Sequence, residues 1–354
     1  MTLILKSSEA VNIKNLADVM PNPSLHLDFR SEIYSKDGQS LSDYSPLITV
    51  TRPTTLQGFS GAGSVIDLPL STLKPVTSFS GEKGLPVTGR VLSNFFLNSH
   101  APVTQQITIS FELQYAYILQ VVGNGEAKLS IAGVVIGTAK QDKPFVYNPT
   151  TAGSQVVTVE VSGNPYYVGL CASTSTAAPQ VVVKTTTAIR AYGTTDARIE
   201  GSIINPLLSN GNGTIAFRHH IPEFIEISGY TKARLNTALV LLLANSEHVI
   251  ISWQDYGLFD YSIRTKIGEV EHLKTLVGAM SQDNVYVLRL EPEIITAYCN
   301  GKLIGSVPRP TAEITGLLLG SGNVWSKPSE NLIQELAVYS DVISDEQAKS
   351  LSSL

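Results

Sequence analysis

Clustered positive charge is missing from this chain. Its 25 Lys and Arg are outnumbered by 30 Asp and Glu, which gives a formal net charge of −5 and a pI of about 5.7. No run of basic residues occurs, so the electrostatic footprint of a nucleic-acid binder is lacking. Long apolar runs are missing too. The longest is ALVLLLA at 238–244, well short of the ~20 residues that a membrane-spanning helix needs. The first residues, MTLILKSSEAVN, lack a basic stretch before an apolar core. The expectation is a soluble protein made without an export signal.

Cysteine is scarce: Cys171 and Cys299 are the only two. They lie far apart and form no metal-type spacing. They read as small buried apolar residues, neither paired nor reactive. Tryptophan is equally scarce, with Trp253 and Trp325 alone. Heptads, charge runs and convincing long helices are not evident. Charged residues make up 16 % and hydrophobic residues 43 %, a globular balance.

What fills the chain is β pattern. Runs rich in Val, Ile, Thr and Tyr recur between Gly, Asn, Pro and Ser, as in QITISFELQYAYILQVV (106–122), AKLSIAGVVIG (127–137) and SQVVTVEVSG (154–163). Short strands with frequent turns imply sandwiches or barrels. The expected architecture is all-β: an extended N-terminal arm followed by two antiparallel β-sandwich (jelly-roll) domains. The arm spans 1–75, where LHLDF (25–29) and LITVTR (47–52) stand isolated among Pro, Ser and Gly. The first sandwich spans 76–190 and the second 191–354, with AYGTTDAR (191–198) as the hinge.

The last third carries the sharpest local signals. Asn300-Gly301 sits between two β runs. That pair marks a type I′ hairpin, because both central residues need positive φ. The implied register sets Cys299 opposite Lys302, Tyr298 opposite Leu303 and Ala297 opposite Ile304. ITGLLLGSG (314–322) reads as an apolar strand. In LIQELAVY (332–339) both faces are mostly apolar, as in a strand covered on both sides. Ser344 and Gln347 form a capping box, with Asp345 and Glu346 in the first turn. The resulting helix is too short to stand alone and must dock through Ala348 and Leu351.

This order of elements resembles the laminin G / concanavalin A-like superfamily. The resemblance rests on Tyr298, Asn300 to Leu303, Gly305, Leu317 to Gly320, Glu335 to Tyr339 and Ile343 to Gln347. It covers roughly 197–354 and implies a two-sheet jelly roll. The N-terminal half resembles the start of tailed-phage virion proteins, through Leu25, Leu27, Asp28 and Phe29, then Ile48, Thr49, Thr51 and Arg52. GLPVTGRVLSNFFLNS (84–99) resembles a second element of that group at Gly84, Leu85, Asn94, Leu97, Asn98 and Ser99. It departs by a displaced Arg and a missing Glu. Residues 104–184 follow the layout of a carbohydrate-binding-module-like jelly roll.

Chemistry is sparse. Retaining glycosidases need an acid and a nucleophile ~5 Å apart. The nearest arrangements are Glu223/Glu226 and Glu291/Glu293, and Pro292 places the second pair at a strand end or loop. These read as solvated carboxylates. His219 and His220 are strand neighbours, so they point to opposite faces and cannot chelate one ion together. GFSGAGS (58–64) falls short of both a nucleophile elbow and a dinucleotide fingerprint. No catalytic residue, metal ligand or cofactor is assigned. For sugar contact the useful groups are exposed aromatics beside amides and carboxylates. WQDYGLFDY (253–261) offers Trp253, Asp255, Tyr256, Asp260 and Tyr261, although Trp253 follows an apolar strand that favours a core position. A polar stretch offers Asn323 and Trp325, for surface contact or protein–protein packing.

The resemblances imply a structural, non-enzymatic virion protein of head-decoration or tail-fibre type, made in the host cytoplasm and carried on the phage particle surface. Its arm would hold other virion proteins. Its sandwiches would be displayed outward for attachment to host-surface polysaccharide. A homo-oligomer is expected, with a trimer as the leading number, and no nucleic acid or membrane insertion. The alternatives are a sandwich-fold glycan hydrolase and a purely structural decoration protein without ligand.

Overall fold

The computed structural model describes residues 14–51, 56–59, 65–68, 71, 74–77, 81–113, 115–141, 143–173, 185–186, 189–194, 196–221, 235–254, 260–277, 281–319 and 330–354. Most of these lie in antiparallel strands. A 16-stranded sheet runs through the molecule and a 7-stranded sheet packs on one part of it. The two largest apolar clusters among the described residues form separate cores.

The larger core lies between two sheets. One side is built from Leu27, Ile215, Phe217, Tyr286, Ile333 and Leu336, the other from Val50, Ile199, Leu241, Ile251, Ile263 and Leu317. This is a β-sandwich, with alternate residues of each strand turned inward. The central strand, Glu330–Tyr339, is flanked by Gly213–His220 on one side. On its other side it pairs with both Leu25–Asp28 and Lys83–Asn94. Residues 332–339 are buried on both faces, as their apolar pattern implies.

The N-terminal segment departs from the expectation of a separate arm. Leu25–Asp28 pairs residue for residue with Glu335–Val338. Thr49–Thr51 pairs with the Asp196–Glu200 strand of the opposite sheet. Leu25, Leu27, Phe29, Ile48 and Val50 enter the large core. Phe29, Tyr34 and Tyr44 form a mutual ring cluster, with centroids 4.9–5.9 Å apart. Residues 25–51 therefore supply strands to both sheets of the C-terminal sandwich. The reason is partner strands supplied from far along the chain, which cover the apolar face of a short isolated strand. Asp28 Oδ1 accepts the Arg30 and Ser31 amides at 2.9 and 3.2 Å, closing the turn after the strand.

The smaller core is built from Phe96, Phe111, Tyr117, Leu119, Leu129, Val157, Val159 and Leu170 with their neighbours. Two long strands, Ala116–Ile131 and Gly153–Ser173, pair along their length with a register shift at Val122/Gly123. Gly123 and Gly163 have φ of +102° and +78°. Glycine accepts these angles without strain, so the ribbon bends there and both halves contribute to one core. Asn124 to Ala127 lie within this ribbon, and a hairpin turn follows at Ala132-Gly133. Asn94 is fully buried, and its Oδ1 accepts the amides of Phe96 and Leu170 at 3.1 and 3.0 Å. Lys83–Asn94 joins the two cores, pairing first with Glu330–Tyr339 and then with the Gly153–Ser173 ribbon.

The local signals near the C-terminus hold. Asn300 and Gly301 have φ of 48° and 75°. Cys299 faces Lys302 and Tyr298 faces Leu303, but a bulge then moves Ala297 opposite Gly305 in place of Ile304. The Ser344 hydroxyl accepts the Gln347 amide at 3.2 Å, and Gln347 Oε1 accepts the Ser344 amide at 2.9 Å. The Asp345–Ser352 helix docks through Ala348 and Leu351 on Ala216, Val285, Val287 and Ala337. Cys171 and Cys299 are both buried thiols, and neither is in a disulfide. Burial pushes the Cys299 thiol well up.

Candidate functional site

The sequence-derived sugar contacts do not meet at a described site. Asn323, Trp325, Asp255 and Tyr256 lie outside the described residues. Trp253 lies in the His248–Gln254 strand, opposite Asn236 and Tyr261, and its side chain is outside the description. Tyr261 is a core residue whose hydroxyl binds Asn284 Oδ1 and accepts the Ser281 amide at 3.1 Å. It is no stacking platform. Glu223 and Glu226 also fall outside the described residues. Glu291 sits in the turn before Ile294–Cys299, 3.1 Å from Arg289 Nη2. The Glu293 carbonyl accepts the Arg309 amide.

A cleft of about 440 Å³ opens at one end of the large sandwich. Two connections form it. The first runs from the Gly201–Ile204 helical turn to the Gly213–His220 strand. Within it Ser209 and Asn212 exchange backbone hydrogen bonds at 2.8 and 2.9 Å around Asn210-Gly211. Those two residues have φ of 53° and 79°, the same mirror-image turn as Asn300-Gly301. The second connection, Arg309 to Glu313, follows the Lys302–Pro308 strand.

Arg309 locks the two connections together. Its Nη2 donates to the Gly211 carbonyl at 2.9 Å, and its Nη1 donates to Asn212 Oδ1 at 2.7 Å and to the Glu291 carbonyl at 2.9 Å. A Cβ at residue 211 would stand 2.9 Å from Arg309 Nη2, so glycine there permits the close approach. On the other wall Asn205 Nδ2 donates to the Ile314 carbonyl at 2.9 Å and to Glu313 Oε1 at 3.3 Å. Asn210, Thr311 and Glu313 line the cleft beside the apolar Leu208, Ala312 and Ile314. Exposed polar side chains beside apolar ones suit a ligand with both hydroxyl and C–H faces. The sequence carried a usable signal for half of this, since SNGN at 209–212 has the same Asn-Gly mark as the later hairpin. That Arg309 would span to it was not legible.

A second polar assembly lies on the outer face of the central strand. Glu335 is fully buried and draws in the N-terminal segment. Its Oε1 accepts the Leu16 amide at 2.7 Å and lies 2.8 Å from His26 Nε2. Its Oε2 accepts Arg30 Nη2 at 3.0 Å and stands 3.9 Å from Arg218 Nε. Arg218 also donates to the Lys14 carbonyl at 3.1 Å. Every group here is tied to another part of the same chain, so the assembly fastens the fold.

His219 and His220 point to opposite faces, as strand geometry requires. His219 packs in the core with Phe217 and Tyr286, ring centroids 5.9 and 5.2 Å away. His220 lies on the outer face with Nδ1 2.8 Å from Asp283 Oδ1.

No protein-family model matches the chain. No curated protein matches it. Among solved structures, the Ruminococcus gnavus IT-sialidase CBM40 aligns with a TM-score of 0.32 and 16 % identity, over 42 % of this chain and 85 % of that one. Domain 4 of AbnA, a GH43 extracellular arabinanase from Geobacillus stearothermophilus in complex with arabinotriose, aligns with a TM-score of 0.31 and 15 % identity, over 45 % of this chain and 73 % of that one. The SAP-like pentraxin from Limulus polyphemus aligns with a TM-score of 0.28 and 11 % identity, over 40 % of this chain and 70 % of that one.

Proposed function

We propose that this protein is a non-catalytic glycan-binding display protein, and that the cleft between Asn205 and Ile314 is where it holds sugar. The observation that carries the reading is the Arg309 clamp. It fixes two loops so that Asn210, Thr311 and Glu313 share a cleft with Leu208, Ala312 and Ile314. Amide, hydroxyl and carboxylate groups can orient sugar hydroxyls, while the small apolar groups meet ring C–H faces. The virion setting rests on the sequence resemblance at residues 25–29 and 48–52. In that setting the protein stands on a phage particle and attaches it to host-surface polysaccharide.

Incubation of the intact protein with host capsule or wall polysaccharide tests this directly. Retention of polysaccharide without release of reducing ends supports a binding module. Released oligosaccharide, abolished by substitution of a carboxylate, would assign a hydrolase instead.

A further inference from the structure

Three ligand-type side chains meet on the outer face of the large sandwich, away from the cleft. His220 ends the Gly213–His220 strand and Asp283 begins the Asp283–Leu290 strand, and the two are direct partners across the sheet. Glu82 lies just before the Lys83–Asn94 strand. One ligand atom from each of Glu82, His220 and Asp283 lies within 4.8 Å of the other two. Ligand atoms around tetrahedral zinc stand about 3.3 Å apart, so a small side-chain rotation closes the set. The His220–Asp283 contact at 2.8 Å is already inside that spacing.

The surroundings favour a fixed site. His220 is only 2 % exposed, so its imidazole is held by the strands around it. Gln334 is equally buried and donates to Glu82 Oε2 at 3.0 Å. Such an outer hydrogen bond orients a ligating carboxylate. Gln334 reaches that face because of a bulge. His219 pairs with Ile333 and Arg218 with Glu335, which leaves Gln334 as the extra residue. Arg218, a cation on the same face, is turned toward Glu335 and the Lys14 carbonyl.

The geometry points to a divalent transition-metal site formed by Glu82, His220 and Asp283, with zinc as its best-suited ion. One imidazole and two carboxylates are a nitrogen–oxygen ligand set that zinc accepts and that calcium, an all-oxygen ion, does not favour. The site would be structural. It ties the start of Lys83–Asn94, the strand that runs on into the smaller core, to two strands of the large sandwich. An ion bound only by the folded chain stabilises it by mass action.

The test uses the full-length, tag-free chain stripped with chelator and titrated with Zn²⁺, Mn²⁺ and Ca²⁺ by calorimetry and thermal melting. One Zn²⁺ per chain is expected, with a raised melting midpoint and weaker Mn²⁺ and Ca²⁺ binding. Glu82→Gln keeps an acceptor for Gln334, and Asp283→Asn changes a side chain that is 59 % exposed. Both should melt like the stripped parent and bind Zn²⁺ at least about tenfold more weakly. Co²⁺ should give visible absorption typical of a low-coordinate nitrogen–oxygen site in the parent and lose it in both variants. Failure to bind Zn²⁺, or unchanged affinity in the two variants, would overturn the assignment.

Discussion

Glu335 and His26 stand 2.8 Å apart with almost no exposure to solvent, although 309 residues separate them. The contact fastens the start of the chain to the central strand near its end. Arg30, Arg218 and the Leu16 amide converge on the same carboxylate. Removing one partner from a buried ionic cluster strands the others without compensation, at a cost of about 3–5 kcal/mol. Glu335→Ala should therefore lower the free energy of urea unfolding at pH 7 by an amount in that range. A shift under ~1 kcal/mol would mean that the cluster is more hydrated than its burial implies.

Leu27 pairs with Leu336 and is fully buried. Leu27→Ala should cost about 2–5 kcal/mol in equilibrium denaturation. A chain restricted to residues 191–354 lacks this strand, the Thr49–Thr51 strand and Leu85 and Val87 of the core. It should not unfold cooperatively, whereas the full chain should. A sharp, reversible melt of that piece alone would contradict the woven arrangement.

His248 is 3 % exposed, and burial pushes its imidazole below the usual value of 6.5. Lys266 and Arg264 push the same way, while the Ser246 carbonyl and Glu271 oppose. The neutral form is therefore favoured in the folded state. The unfolded chain binds the proton more readily, so stability is lost as pH falls below about 6.5 and levels off below the folded value. Denaturant midpoints measured between pH 8 and 5 should show this decline. His248→Gln should flatten it.

Ser344 caps the closing helix and Gln347 returns the bond. Ser344→Ala should destabilise by about 0.5–2 kcal/mol. The loss should show as faster amide exchange in residues 345–352, since the helix is too short to persist undocked.

Local signals were legible and distant ones were not. Asn300-Gly301 and Ser344–Gln347 could be read because turn and cap chemistry act over a few residues. The bulges that move Ala297 opposite Gly305 and set Gln334 aside are not written in the alternation of apolar residues. The pairing of residues 25–28 with 335–338 depends on a partner strand at the other end of the chain. Nothing in LHLDF itself distinguishes an arm from a core strand. The same holds for sites. His220 could be placed on a face, but Glu82 and Asp283 reach it only through sheet order. Arg309 reads as one basic residue between two prolines until the fold sets it against Gly211 and Asn212.

The most direct measurement compares polysaccharide binding by the parent and two cleft variants of the intact protein. Thr311→Trp fills the cleft from an exposed position, and Asn210→Gly removes an amide while keeping a turn that needs positive φ. The expected result is saturable binding by the parent, loss at least about tenfold in both variants, unchanged melting curves and no released reducing ends. Equal binding by all three proteins, or none by the parent, would contradict the assignment of the cleft between Asn205 and Ile314 as a sugar site.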